Sequence, residues 1–123
     1  MNYYFVSAAG LIYLLGLVHS LLGERTIFYR LFGMRVPDLR GSELYFKRTL
    51  RFAWHATTCF LWTLATVLVY WSDRSLDTAV TDATQIFGFG FFGAALLSLV
   101  VTRGRHFSWV LFLAVAILLW SGS

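Results

Sequence analysis

The side chains best suited to chemistry in this sequence are its three histidines, which lie far apart along the chain. His19, His55 and His106 each stand near the end of a long apolar run. A neutral imidazole is a common ligand of zinc, iron and copper, and two imidazoles can hold a haem iron. Glu24 lies just beyond His19 and would supply a carboxylate. These four residues are the predicted ligands of a metal or haem site.

A second group of candidates surrounds His55. Arg51 lies four residues before it, so both would share one face of a helix. Its guanidinium suits a phosphate or carboxylate, and we predict Arg51 as a cofactor-binding residue. The alternative is a basic anchor at a membrane interface. Cys59 follows His55 by four residues, and we interpret it as a packing residue rather than a ligand.

The elements that must bring these residues together follow from the composition. The chain is 59% hydrophobic and 13% charged, whereas a soluble domain carries roughly 25% charged residues. Its apolar residues form four runs, at about 3–22, 52–71, 83–102 and 107–120. Runs of about 20 residues match a hydrocarbon core of about 30 Å. The shorter fourth run can span only if His106 and the terminal Ser-Gly-Ser lie near the two interfaces, or if the bilayer thins locally. We predict an all-α fold, a four-helix transmembrane bundle that forms a single domain over 1–123.

The distribution of basic residues predicts the orientation. Nine of them flank the runs on one side: Arg25, Arg30, Arg35, Arg40, Lys47, Arg48, Arg51, Arg103 and Arg105. Only Arg74 lies on the other side. Because short cytoplasmic loops are rich in Lys and Arg, we expect 23–51 to be a cytoplasmic loop and both termini to be periplasmic, in a bacterial inner membrane. The net charge of +4 then serves topology, and no nucleic-acid partner is expected.

Local signals refine this picture. Residues 24–33 place Ile27, Phe28, Leu31 and Phe32 on one face, which predicts a short interfacial amphipathic helix between spans one and two. Gly33 would end this helix, and Pro37 would prevent it from continuing. In this topology all three histidines lie within roughly 5–8 Å of one depth, by the helical rise.

Three further signals concern helix starts and packing. Ser42 is a predicted N-cap for the second long helix, and Asp82 with Gln85 fits a capping box at the start of the third. Gly90, Ala94 and Ser98 recur every four residues, a pattern that favours close packing between helices.

Two segments carry a resemblance to known proteins. His19-Ser-Leu-Leu-Gly-Glu-Arg25 and Leu50-Arg-Phe-Ala-Trp-His-Ala-Thr57 resemble segments of uncharacterised small bacterial membrane proteins with four predicted spans. The resemblance covers mainly the first two spans. It implies a location and a topology, and it implies no activity.

Three functions remain open at this point. The first is a metal- or haem-binding membrane protein, with redox activity as one option, and with its site at the cytoplasmic leaflet. The second is a homo-oligomeric transporter or channel lined by Thr57, Thr58, Thr63 and Thr66, although no Asp, Glu, Lys or Arg lies in the middle of a run. The third is an accessory subunit of a larger membrane complex. In each case we expect the chain to be embedded in the lipid bilayer.

Overall fold

A computed structural model shows helices wherever it describes regular structure. It describes residues 1–36, 42–75 and 77–123, with the backbone alone for Val101. The helices are α1 (Tyr3–Leu22), a π-helical segment (Gly23–Phe28), α2 (Tyr29–Gly33), α3 (Glu43–Ser72), α4 (Thr78–Thr102) and α5 (Ser108–Gly122). The all-α prediction is therefore confirmed. The predicted roles of Pro37 and Arg40 fall outside the described residues.

Three of the helical stretches are long and apolar enough to cross a membrane. They are Tyr3–Gly33, Glu43–Ser72 and Thr78–Val100. The fourth apolar helix, Ser108–Gly122, has 15 residues and is shorter than a typical span. The four apolar runs of the sequence therefore correspond to four helices.

The helix starts show which capping signals operate. Helix α3 begins at Glu43, and the Ser42 hydroxyl accepts a hydrogen bond from the Tyr45 N–H at 3.3 Å, as predicted. Helix α4 begins at Thr78, five residues earlier than the apolar run, and the Asp77 carboxylate accepts from the Val80 N–H at 2.8 Å. The predicted capping box at Asp82 is therefore wrong, because an extended Asp77 caps the helix first.

The amphipathic segment at 24–33 is not a separate helix. Helix α1 continues through the π-helical segment into α2, and the helix ends at Gly33 as predicted. Nothing in Gly23 or Glu24 stops the backbone hydrogen bonding, and the chain turns extended only at Met34. Of the four apolar residues on the predicted face, Phe28 is buried, whereas Ile27 and Phe32 remain exposed. The interfacial helix is thus the end of the first long helix.

The chain divides into two compact units. The central unit comprises Tyr13–Thr63, and the terminal unit comprises Met1–Ile12 with Leu64–Ser123. The terminal unit contains most of the fully buried apolar side chains, which are Phe5, Ile12, Leu68, Val115 and Leu119. The central unit has Phe28 as its large buried side chain. Helices α1 and α3 each contribute residues to both units.

One type of contact joins helices in both units: an indole ring lies across a glycine. A Cβ atom at Gly23 would collide with the indole of Trp54, and the Trp54 Nε1–H donates to the His19 carbonyl at 3.0 Å. The glycine therefore lets a large aromatic ring reach the backbone of the facing helix. The indole N–H in turn finds a carbonyl one helical turn before the glycine.

The same arrangement occurs three times. The sets of tryptophan, glycine and carbonyl acceptor are Trp54–Gly23–His19 and Trp62–Gly16–Tyr13 in the central unit, and Trp120–Gly88–Gln85 in the terminal unit. Close helix packing in this protein therefore uses single glycines that face tryptophans.

The predicted stripe of small residues on α4 packs only in part. A Cβ atom at Gly90 would meet no atom within 4 Å, so this glycine is not a point of close approach. Ser98, at the other end of the stripe, is within 2.7 Å of the Ser108 hydroxyl on α5. The close approach lies at Gly88 instead, where the indole of Trp120 covers the backbone.

Candidate functional site

The central unit contains a carboxylate–guanidinium pair between the π-helical segment and α3. The Arg51 Nε–H donates to Glu24 Oε1 at 2.7 Å, and its Nη2–H donates to Oε2 at 2.8 Å. This bidentate geometry matches the planar fork of an arginine to a carboxylate. Both side chains are partly exposed, so solvent screens the pair and its contribution to stability is modest.

His55 extends this pair into a longer hydrogen-bonded series. Its Nε2 is 2.6 Å from Glu24 Oε1, and its Nδ1 is 3.0 Å from the Ser20 hydroxyl. The Ser20 hydroxyl is 2.9 Å from that of Thr58. We call this series of five side chains the polar chain: Arg51, Glu24, His55, Ser20 and Thr58. It connects an exposed ion pair with a buried hydroxyl.

The polar chain ends at the helix backbone. The Thr58 hydroxyl, which is buried, donates to the Gly16 carbonyl at 3.5 Å. Gly16 faces the indole of Trp62, so at this level α1 and α3 are in direct contact. The inner end of the polar chain is thus closed by protein.

Helical spacing explains why these residues meet. Ser20 and Glu24 are four residues apart on the first long helix, and Arg51, His55 and Thr58 follow one face of α3. The sequence predicted the common face of Arg51 and His55. It did not single out Ser20, although the spacing of Ser20 and Glu24 was available as a signal.

The π-helical segment affects where Glu24 and Phe28 point. A π-helix turns by a smaller angle per residue than an α-helix does. In the π-helical segment, Glu24 and Phe28 therefore both face α3. The ring of Phe28 then contacts Trp54 edge-on, with centroids 5.8 Å apart, and lies 6.2 Å from the His55 ring. No feature of the residues 23–28 predicted this local change of helix type.

His19 lies beside the polar chain but is not a member of it. Its ring stacks on the Trp54 indole, with centroids 4.1 Å apart and an angle of 4° between the planes. The His19 Nε2 atom is buried, and among the described residues it has no hydrogen-bond partner. A buried polar atom of this kind needs an explanation, since its desolvation is not offset.

His106 belongs to the terminal unit. It precedes α5, which begins at Ser108, one residue after the start of the apolar run. Its Nδ1 is 2.8 Å from the Ser108 hydroxyl and 3.3 Å from the Ser108 backbone nitrogen, and the residue is exposed. These contacts give His106 a local role at the start of α5. The predicted convergence of His106 with His19 and His55 stays a prediction.

The proposed metal ligands were tested against the geometry. Within 1–36, 42–75 and 77–123, no group of three or more His, Cys, Asp or Glu side chains is placed to hold a metal ion. Both oxygens of Glu24 already accept hydrogen bonds from Arg51. A cation at this carboxylate would have to displace a guanidinium. Arg51 likewise binds a residue of the chain itself, and its predicted role toward a cofactor stays a prediction.

The polar chain is well arranged for the transfer of a proton. When His55 is neutral, Nε2–H donates to Glu24 and Nδ1 accepts from Ser20. When His55 is protonated, both nitrogens donate, and the Ser20 hydroxyl turns toward Thr58. Either state keeps every hydrogen bond of the imidazole, so a proton can enter or leave with only the rotation of hydroxyl groups. Histidine suits this role because either ring nitrogen can carry the proton.

Comparison with known proteins adds no assignment. No protein-family model, no curated protein and no solved structure matches the chain. The resemblance of segments 19–25 and 50–57 to small four-span membrane proteins therefore stays a prediction. The chemistry of the polar chain rests on its own geometry.

Proposed function

We propose that this chain is a four-span protein of the bacterial inner membrane, with the loop 23–51 in the cytoplasm and both termini in the periplasm. Three long apolar helices support a membrane location. Large apolar side chains such as Phe52, Phe60 and Leu97 are exposed along the helices, as expected for surfaces in contact with lipid. The bilayer is then the solvent of these surfaces.

Reporter fusions test this topology. Alkaline phosphatase fused after Ser123 should be active, because that end would be periplasmic. Green fluorescent protein inserted in the segment 37–41 should fluoresce, because that loop would be cytoplasmic. The opposite result at both positions would invert the orientation.

The lengths of the first two helices support a site near the cytoplasmic leaflet. Tyr3–Gly33 has 31 residues and Glu43–Ser72 has 30 residues. At 1.5 Å per residue each is about 45 Å long, whereas the hydrocarbon core is about 30 Å thick. The ends of both helices near Glu24 and Arg51 would therefore reach the interface. Thr58, two turns further along α3, would lie inside the hydrocarbon region.

Within this topology, the function that the site supports best is proton-coupled transport by a homo-oligomer of the chain. The observation that carries this proposal is the continuous series of hydrogen bonds from Arg51 to Thr58. His55 would take up and release the proton, and the Glu24–Arg51 ion pair would hold the imidazole in place. Ionisable groups at membrane depth commonly mark proton relays. A bundle of four helices is thin, so more than one copy would be needed to enclose a path.

Proton flux into proteoliposomes tests this function. The purified protein is reconstituted with a pH-sensitive dye inside, and a potassium diffusion potential drives protons inward. The wild type should acidify the interior faster than empty liposomes do. His55→Gln should reduce the rate to the background, because a glutamine cannot exchange a proton.

Two threonines provide a matched pair of variants. Thr58→Val removes a hydroxyl of the polar chain and should lower the flux. Thr49→Val changes an exposed threonine of the same helix that takes no part in the polar chain, and it should leave the flux unchanged. No flux by the wild type, or equal effects of both variants, would overturn the proposal.

The second candidate function is the metal- or haem-binding protein, and the unpartnered Nε2 of His19 favours it. A metal ion or haem iron would satisfy this buried nitrogen, with His55, His106 and Glu24 as the further predicted ligands. Zinc, iron, copper or haem would supply Lewis-acid or redox chemistry there. An absorption spectrum and elemental analysis of the purified protein test it. A stoichiometric metal or a Soret band that is lost in His19→Ala would support it, and neither in the wild type would reject it.

A further inference from the structure

A groove runs along the side of α3 in the central unit. It encloses about 580 Å³. Arg48 and Arg51 line one part, and Phe52, Ala56 and Phe60 line the rest. Because these three apolar residues recur every four positions, they form one stripe along the helix. The rings of Phe52 and Phe60 are 73% and 76% exposed, so they stand out from the helix as the walls of the groove.

The two arginines differ in how many of their N–H donors are already used within the protein. Arg51 uses Nε and Nη2 for Glu24. Arg48 is exposed, and among the described residues it has no ion-pair or hydrogen-bond partner. The basic end of the groove therefore carries one guanidinium that is free for an anion and a second with donors to spare. A phosphate oxygen is well matched to such donors.

We propose that this groove binds an anionic phospholipid of the cytoplasmic leaflet. The phosphate would lie at Arg48 and Arg51, and one acyl chain would lie along Phe52, Ala56 and Phe60. Charge complementarity at one end and an apolar stripe at the other select an amphiphile over a small anion. The eight residue-to-residue steps from Phe52 to Phe60 rise about 12 Å, which is enough to follow much of one acyl chain through a leaflet.

The inference rests on the proposed membrane location, and it is independent of proton transfer. It gives Arg51 a partner of the kind that the sequence predicted, a phosphate group, without loss of the bond to Glu24. It also places that phosphate in a groove that His55 helps to line. The lipid would thus lie next to the polar chain.

Native mass spectrometry of the full chain tests the proposal. The protein is released from nanodiscs that contain phosphatidylglycerol and phosphatidylcholine, and the lipid that remains bound is identified. The wild type should retain phosphatidylglycerol. Arg48→Gln should weaken retention about fivefold, the effect of one basic residue near an anionic lipid surface.

Two control variants separate a site from general attraction. Arg30→Gln removes another exposed basic residue of the central unit, outside the groove, and should leave retention unchanged. Phe60→Ala removes one wall and should weaken retention, whereas Leu50→Ala, which is exposed on α3 outside the groove, should not. Equal effects of Arg48→Gln and Arg30→Gln, or retention of phosphatidylcholine as strong as that of phosphatidylglycerol, would overturn the site.

Competition and flux complete the test. Inorganic phosphate should not displace the bound phosphatidylglycerol. If phosphate displaces it at a concentration similar to that of the lipid, the groove binds phosphate and not a lipid. A wild type that lacks proton flux but retains lipid through Arg48 would refute the proposed transport and leave the lipid site standing. Proton flux by a protein that retains no lipid would refute the lipid site and leave the proposed transport standing.

Discussion

The central and terminal units use the same contact between helices but differ in what surrounds it. In both, an indole covers a glycine and donates to a carbonyl one turn away. Around Trp120 the neighbours are aromatic rings, those of Phe89 and Phe92. Around Trp54 they are His19 and Phe28, next to an ion pair and a second imidazole. One way of joining helices therefore supports both an apolar region and a polar one.

The two units also differ in the kind of buried side chain that stabilises them. The terminal unit is held by buried apolar side chains and by polar contacts at the two chain ends. Within the described residues, the interior of the central unit contains Thr58, Lys47, Leu15 and one fully buried large apolar residue, Phe28. Polar groups contribute less net free energy than apolar burial does, so the central unit should be the more sensitive to loss of a single contact.

The largest expected effect is at Phe28. Phe28→Asp would place a charge against Trp54 and His55 and should lower the free energy of unfolding by about 3–5 kcal/mol. Thr26→Asp changes an exposed neighbour on the same segment and should have little effect. Unfolding by sodium dodecyl sulfate in mixed micelles measures both. Similar values for the two variants would show that the central unit does not depend on this packing.

A somewhat smaller effect is expected at Lys47. The residue is only 5% exposed, and its ammonium group donates to the Phe32 carbonyl at 3.3 Å and to the Met34 carbonyl at 2.5 Å. Lys47→Met keeps an unbranched side chain, one atom shorter, but leaves these carbonyls without a donor, which should cost about 2–3 kcal/mol. Arg48→Met, at the exposed neighbour, is the control. If both variants have the same free energy of unfolding, the end of α2 does not depend on the hydrogen bonds from Lys47.

The contact between indole and glycine is tested in both units at once. Gly23→Ala and Gly88→Ala would each force a tryptophan to move, and each should lower the free energy of unfolding by about 1–2 kcal/mol. A Cβ at Gly10 would meet nothing within 4 Å, so Gly10→Ala should stabilise its helix by about 0.5–1 kcal/mol. Loss of stability at Gly10 equal to that at Gly23 would refute the special role of the glycines.

The smallest expected effect concerns the chain ends of the terminal unit. The Asn2 side chain caps α1, accepting from the Tyr4 N–H at 3.1 Å, and its Nδ2 donates to the Gly122 carbonyl at 2.7 Å. Asn2→Asp keeps the cap and loses the donor, so it should cost about 1 kcal/mol. Asn2→Ala loses both and should cost more. A thermal midpoint that is the same in the two variants would show that the cap contributes nothing and that only the bond to Gly122 matters.

Part of the site could be predicted from the sequence because helical spacing is regular. The common face of Arg51 and His55 follows from a separation of four residues, and the Ser42 cap follows from a hydroxyl before a helical run. The start of α4 was misplaced because two acidic residues compete as caps, and the choice depends on the backbone angles of Asp77. The residue types at Gly23–Phe28 do not indicate the change to a π-helix.

The sequence by itself determined the helices and the side chains that carry charge, because hydrophobic runs and the helical period act locally. Only the tertiary structure decided that Glu24 pairs with Arg51 and His55, because that pairing depends on the register between α1 and α3. Registers are set by where an indole finds a glycine on the facing helix, and neither residue indicates its partner. Among the described residues Arg48 has no ion-pair partner, and it lies beside the apolar stripe of the groove, where we propose the anion site.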